Sequence, residues 1–168
     1  MKKFFLVTLS TLLFLSAFFA GSVSTATAKE PKILEFDTMV GVPSTLTGAQ
    51  SQAPLRGING GGAPWALTSA HGELTASGHL EIEVVGLVLA TTGSNPVALF
   101  RGRVSCVKSD GSFENNILTD AFPATTGLAS AGGGNAKIEA DLTLPEPCIA
   151  PIIFVTNNGG SWFAATGN

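Results

Sequence analysis

The chain has no tyrosine, and its 168 residues include only two cysteines, two tryptophans and two histidines. Two cysteines exclude a small domain held together by several disulfides. Only 12% of the residues are charged and 45% are apolar. This balance excludes an intrinsically disordered chain, because disorder requires low hydrophobicity and high net charge. The length is that of one domain.

The one long apolar run lies at the beginning of the chain. Two lysines precede the apolar stretch from Phe4 to about Ala20, and a small-residue cleavage site, Ala26-Thr27-Ala28, follows it. This order predicts a secretory signal peptide over residues 1–28, leaving residues 29–168 as a single domain. The alternative is a membrane anchor, since the run is near the lower limit for spanning a bilayer. We expect a secreted protein, extracellular or periplasmic, with no membrane span after cleavage.

Runs of basic residues are also missing. Removal of residues 1–28 leaves seven lysines and arginines against twelve aspartates and glutamates, a net charge of −5. Nucleic-acid binding needs clustered Lys and Arg, and anionic lipid surfaces attract polybasic segments. The sequence therefore predicts neither as a partner.

Cys106 and Cys148 stand 42 positions apart. Export places them where disulfides persist, so we expect a Cys106–Cys148 disulfide. Closing that loop is worth roughly 4 kcal/mol in the chain-entropy model. The alternative is two buried free thiols.

Period-2 alternation of apolar and polar residues dominates residues 29–168, and no helical period is evident. The pattern predicts an all-β fold, an antiparallel β-sandwich or small barrel of about seven to eight strands. The doublet Val84-Val85 before Gly86 predicts a bulge. The predicted strands are Ile33–Met39, Trp65–Thr75, His79–Ala90, Pro96–Lys108, Phe113–Phe122, 136–144, Ile152–Thr156 and Ser161–Thr166. The predicted core includes Phe100, Val104, Ile138, Leu142, Phe154 and Phe163.

Two loops rich in Gly, Ser and Thr, residues 41–64 and 123–134, separate these strands. Each contains a glycine triplet, Gly60–Gly62 or Gly132–Gly134. Neither triplet has the lysine and the helix start of a phosphate cradle. We interpret both as flexible turns.

A hairpin brings both histidines to one face. The three-residue loop Ala76-Ser77-Gly78 favours a left-handed glycine at its last position. This loop sets His71 opposite Glu83 and Glu73 opposite Glu81, with Thr75 and the second histidine, His79, on the same polar face.

Imidazole and carboxylate groups are ligands for zinc or another divalent ion. A cation would relieve the repulsion between directly opposed glutamates. The alternative is the solvated face of an edge hairpin. The candidate metal ligands are His71, His79, Glu81 and Glu83.

Trp65 and Trp162 are candidate ligand-contact aromatics. An exposed tryptophan beside a glycine-rich loop can stack on a partner surface, which suggests a glycan or an envelope protein as ligand. The alternative is that both tryptophans cap the core, as the average burial of large aromatics favours. Adjacent strand residues point to opposite faces, so Trp162 and Phe163 diverge.

Known catalytic motifs are missing from the sequence: it has no Gly-x-Ser-x-Gly elbow, no His-Glu-x-x-His helix and no phosphate-binding loop. Glu139 and Asp141 share one face of a predicted strand, and paired carboxylates serve glycoside hydrolysis. An exposed strand face is the simpler explanation. We expect no enzymatic activity and no cofactor besides the candidate metal ion, with a small hydrolase assembled by folding as an alternative.

Several stretches resemble a group of small secreted bacterial proteins of unknown function. They are Arg56–Trp65 (RGINGGGAPW), Phe122–Gly127 (FPATTG), Pro147–Thr156 (PCIAPIIFVT) and Trp162-Phe163-Ala164. The resemblance covers most of residues 29–168 and implies no activity and no site residues. The order of a Gly-Leu strand, Phe-Pro and a late Phe-Val strand is also similar to CHRD-type sandwich domains. The chain lacks their histidine-rich strand, so that similarity implies the fold alone.

Together these features predict a secreted, non-enzymatic binding or structural module of the envelope or extracellular space. The alternative is a metal-binding protein that uses the His71–Glu83 hairpin face.

Overall fold

The computed structural model describes residues 30–48 and 54–167, and the predicted signal peptide lies outside them. The fold is all-β. The described residues form fourteen strands and two short 3-10 helices, Ser44–Leu46 and Ala129–Ala131. The strands are β1 Lys32–Phe36, β2 Met39–Gly41, β3 Trp65–Ala66, β4 Ser69–Thr75, β5 His79–Val85, β6 Val88–Leu89, β7 Ser94–Asn95, β8 Leu99–Val107, β9 Phe113–Leu118, β10 Phe122–Pro123, β11 Gly127–Leu128, β12 Ala136–Asp141, β13 Ile149–Thr156 and β14 Trp162–Thr166.

Two antiparallel sheets form a sandwich, as the alternation predicts. One sheet has four strands in the order β1-β4-β5-β12. The other has six, in the order β10-β8-β13-β14-β2, with β9 also paired to β8. The sheets meet at Gly102, where an added Cβ would lie 3.0 Å from Leu80 Cδ2 and 3.4 Å from Ile138 Cγ2. A larger residue at this position would push the two sheets apart.

The core contains the predicted residues, with one exception. Phe100, Val104, Ile138, Phe154 and Phe163 are buried. Leu142 is only half-buried, because it follows the end of β12.

An aromatic cluster closes one end of the core. The Trp65 ring stacks on Phe163 with ring centroids 3.9 Å apart. Phe100 meets both rings edge-on, at 6.5 and 5.8 Å.

Four of the predicted strands are each divided in two. The stretch over residues 33–39 spans β1 and β2, which belong to different sheets, and the stretch over residues 113–122 spans β9 and β10. The stretch predicted as one strand over residues 79–90 breaks at Gly86, which has a φ of 67°. The predicted bulge at Val84-Val85 is wrong, since both residues pair in regular register with β4. The stretch over residues 65–75 breaks between β3 and β4. A tertiary contact fixes the break at Gly86, because the Gly86 N–H donates to the side chain of Asn135.

Both glycine triplets were predicted as flexible turns, and the structure instead shows them packed. The Gly60 N–H donates to Leu46 O, and the Gly61 N–H donates to Trp162 O. A Cβ on Gly61 would lie 2.6 Å from the Phe163 ring, and one on Gly134 would lie 2.3 Å from Leu87 O. Glycine is needed there because backbone or ring atoms approach closely.

The predicted disulfide is formed. Cys106 on β8 is bonded to Cys148, which immediately precedes β13, with their Cα atoms 4.9 Å apart. Within residues 30–48 and 54–167, no helix has the length and apolar character needed to cross a membrane.

Candidate functional site

The β4–β5 hairpin has the register that the sequence predicts. His71 lies opposite Glu83, Glu73 lies opposite Glu81, and Gly78 is left-handed with a φ of 99°. The hairpin is central rather than at an edge, because β1 and β12 flank it. Thr75 was predicted on the solvated face and is buried, with its hydroxyl accepting a hydrogen bond from the His79 N–H.

A row of four glutamates crosses the outer face of the four-stranded sheet. Glu35 lies opposite Glu73, Glu73 opposite Glu81, and Glu81 opposite Glu139. Like charges directly opposite one another on neighbouring strands are destabilising. Each step of this glutamate row therefore needs compensation.

Two lysines compensate the glutamate row. Lys32 Nζ lies 2.6 Å from Glu35 Oε1 and 2.5 Å from Glu73 Oε2. Lys137 Nζ lies 2.9 Å from Glu81 Oε1 and 3.2 Å from Glu139 Oε2. Each glutamate of the row has a lysine partner, so relief of repulsion does not require a bound cation.

The pKa values of these groups follow the pairing. The hydrogen bond from Lys137 holds the pKa of the Glu81 carboxyl below its ordinary value. The same hydrogen bond, with a second one to Glu139, raises the pKa of Lys137. The Lys32 pKa is raised by its hydrogen bonds to Glu35 and Glu73.

The four predicted metal ligands do not come together in one group. His71 Nε2 lies 3.5 Å from Glu83 Oε2, whereas His79 Nδ1 lies 2.8 Å from Asp141 Oδ1. Since His79 follows the hairpin loop, the two histidines are about 13 Å apart along the strand direction. Among the described residues, no three His, Cys, Asp or Glu side chains are grouped to hold a metal ion. Metal binding at this face stays a prediction, with His71 and Glu83 as the one adjacent histidine–carboxylate pair among the four predicted ligands.

Neither tryptophan offers an open ring face. Trp65 is 6% exposed and Trp162 is 2% exposed. Trp162 Nε1 donates to Ile58 O at 3.0 Å, so the segment before the first glycine triplet covers this ring. The predicted stacking on a sugar needs an exposed indole face, which neither tryptophan has. The alternative, that both tryptophans cap the core, describes them better.

Arg56 fastens that covering segment to the outer face of the six-stranded sheet. Its Nη1 donates to Ser105 O at 2.9 Å, and its Nη2 donates to Ala150 O at 2.6 Å. In return, Asn115 Nδ2 donates to Arg56 O at 2.9 Å. Partial burial lowers the pKa of the guanidinium, which nonetheless stays protonated at any physiological pH.

Beside this segment lies an apolar groove of about 280 Å³, here called the Trp162 groove. No described lining residue is charged. Val40 is 59% exposed on the edge strand β2. The apolar lining consists mainly of Val40, Leu46, Leu55, Ile152, Trp162 and Ala165.

Most residues of the glutamate row and of the Trp162 groove were not among the predicted site residues. Glu35 joins the glutamate row only through the pairing of β1 with β4, and Glu139 only through that of β12 with β5. Leu46 and Leu55 stand isolated in the loop of residues 41–64, which is rich in Gly, Ser and Thr. An isolated leucine in such a loop is the one signal that could have pointed to the groove.

Comparison of the chain with protein-family models, with curated proteins and with solved structures finds no match. The resemblance to small secreted bacterial proteins and the similarity to CHRD-type domains therefore stay predictions. Since a fold hosts many functions, the functional argument has to come from the site itself.

Proposed function

We propose that the chain is a secreted, non-enzymatic binding module that takes an apolar side chain of an extracellular or envelope protein into the Trp162 groove. The observation that carries this proposal is the apolar lining of the groove, with Trp162 among its lining residues and Val40 exposed at its rim. Burial of one aliphatic side chain stabilises a complex by about 1.5–3 kcal/mol.

The lining also supports a non-enzymatic role. General acid–base catalysis needs a titratable group within hydrogen-bonding distance of the reacting atom. The described lining residues include no Asp, Glu, His, Cys or Lys. The one lining hydroxyl with a described hydrogen bond, that of Thr166, accepts from the Ile153 N–H at 3.1 Å. The groove therefore suits binding by shape and apolar contact.

The test uses isopentanol, an analogue of a leucine side chain, titrated into ¹⁵N-labelled protein and followed by NMR. We expect saturable shifts of the Trp162 indole N–H, of Val40 and of Ala165, and no shift of the Trp65 indole N–H. Uniform weak shifts across the protein, or none in the groove, would contradict the proposal.

Two exposed-residue variants provide the matched comparison. Val40→Lys places a charge at the groove rim, and Leu128→Lys places one at a residue of similar exposure, 53%, that does not line the groove. We expect the first to abolish the saturable shifts and the second to retain them. Equal binding by both variants would remove the groove as the site.

The metal-binding alternative rests on the 3.5 Å approach of His71 Nε2 to Glu83 Oε2. Two donors leave two of the four coordination positions of zinc to water or to a partner molecule. Elemental mass spectrometry of purified, oxidised protein tests it, together with zinc reloading of His71→Ala and His79→Ala. One equivalent of zinc that His71→Ala loses and His79→Ala keeps would support this function over groove binding.

A further inference from the structure

The sequence contains two asparagines followed by glycine, Asn59-Gly60 and Asn158-Gly159. In such a pair the glycine amide nitrogen can attack the asparagine side-chain carbonyl carbon, because glycine has no Cβ to hinder the approach. The attack needs two conditions. The asparagine side chain must be free to turn toward the chain, and the glycine N–H must not be held in a hydrogen bond.

Asn158-Gly159 meets both conditions. The pair forms the centre of the turn between β13 and β14, where the Gly160 N–H donates to Asn157 O at 3.1 Å and the Asn157 N–H donates to Ser161 O at 3.0 Å. Both Asn158 and Gly159 are exposed. Among the described residues, neither the Gly159 N–H nor the Asn158 side chain has a hydrogen-bond partner.

Asn59-Gly60 meets only the first. The Asn59 side chain is exposed, but the Gly60 N–H donates to Leu46 O at 2.6 Å. Gly60 also packs so closely that an added Cβ would lie 2.1 Å from Val42 Cγ2. The Asn59 carbonyl accepts from the Trp162 N–H at 3.2 Å. Both the carbonyl and the N–H of the peptide group between Asn59 and Gly60 are therefore held in hydrogen bonds.

We propose that Asn158 is a site of spontaneous deamidation and that the fold protects Asn59. The Gly159 nitrogen loses its proton and forms a bond to Asn158 Cγ, while the bond from Cγ to the side-chain nitrogen breaks and releases ammonia. Water then hydrolyses the cyclic imide at either carbonyl and leaves aspartate or isoaspartate. The reaction needs no oxidant, reductant or enzyme.

The product changes a turn that the rest of the fold contacts. Arg103 Nη1 donates to Gly160 O at 2.8 Å, so the new carboxylate arises two residues from an arginine contact. Isoaspartate also adds one backbone atom to the turn. An ageing preparation of the protein therefore becomes more acidic and heterogeneous at this hairpin, independently of any ligand in the Trp162 groove.

The experiment incubates the full mature protein at mildly alkaline pH and follows both asparagines by peptide mapping, with electron-transfer fragmentation to identify isoaspartate. In the folded protein we expect Asn158 to convert at least about tenfold faster than Asn59. A tenfold ratio of rates corresponds to a local opening free energy of about 1.4 kcal/mol at Asn59. In denaturant we expect the two rates to converge. Equal rates in the folded protein, or a persistent difference in denaturant, would overturn the proposal.

Gly159→Ala tests the chemical step. A Cβ there would meet only the Asn157 side chain, at 3.3 Å, so we expect the variant to fold normally. The methyl group hinders the attack, and we expect Asn158 to convert several-fold more slowly. An unchanged rate would indicate direct hydrolysis of the side chain and would contradict the cyclic imide.

Discussion

Arg56 donates a hydrogen bond through Nη2 to the carbonyl oxygen of Ala150, and both residues have a left-handed backbone, with φ of 50° and 45°. They are the only described non-glycine residues with positive φ. Such conformations cost free energy and persist only where surrounding contacts impose them. The contact joins the segment that covers Trp162 to the start of β13.

Arg56→Ala removes the guanidinium contacts. Alanine has a Cβ, so the backbone at this positive φ stays strained. We expect it to lower the free energy of unfolding by about 2 kcal/mol, the value of a hydrogen bond to a charged group, and to shift tryptophan emission to longer wavelength. Urea denaturation measures the first effect. Lys108→Ala, next to the exposed turn at residues 109–111, serves as a control that should change stability by less than about 0.5 kcal/mol.

Arg56→Gly separates the strain from the contacts. Glycine adopts positive φ at no steric cost, so we expect this variant to be more stable than Arg56→Ala by about 1 kcal/mol. Equal stabilities for the two variants would show that Arg56 is not strained in the folded protein.

The Cys106–Cys148 disulfide should contribute a large part of the stability. Replacing both cysteines with alanine is expected to lower the free energy of unfolding by roughly 4 kcal/mol, since the unfolded chain loses a 42-residue constraint. Urea denaturation with and without a thiol reductant checks this. The reductant should destabilise the native protein and leave the double variant unchanged. If the reductant leaves the native protein unchanged as well, the cystine contributes little to stability.

Lys137→Met should expose the repulsion within the glutamate row. Its hydrogen bond depresses the pKa of Glu81, and a depressed carboxyl pKa contributes stability that is present above the unfolded-state pKa and lost as pH falls through the folded-state pKa. We therefore expect the variant to be destabilised at neutral pH and to match the native protein in acid. Thermal denaturation at low and high salt should show a smaller difference at high salt, because exposed charges are screened.

His79 gives the opposite pH dependence. The hydrogen bond to Asp141 raises the pKa of His79, so its contribution is fully present below the ordinary histidine pKa and is lost as pH rises through the raised value. The ion pair is exposed, so the effect on stability should stay below about 1 kcal/mol. Asp141→Asn should lower the pKa of His79 toward its ordinary value, which an NMR titration of the variant measures. An unchanged pKa would remove Asp141 as the cause.

The parts of the fold that were predictable depend on short-range patterns. The strict alternation from Ala136 to Asp141 identifies β12, and Gly78 fixes the register of the hairpin because the three-residue loop needs a left-handed residue. With two cysteines there is only one intramolecular pairing to predict. The division of the 79–90 stretch at Gly86 was missed, because its cause is the distant side chain of Asn135.

By itself the sequence determined the all-β class, the β4–β5 register and the Cys106–Cys148 pairing, since each follows from local periodicity, loop length or simple counting. Only the tertiary structure decided that Glu35 and Glu139 extend the glutamate row, that Arg56 fastens a loop over Trp162, and that Leu46 and Leu55 border a groove. These neighbours lie on strands and loops far apart in the chain. Their positions follow from the pairing of distant strands and from the hydrogen bonds that hold a loop against the sheet, which no short stretch of sequence encodes.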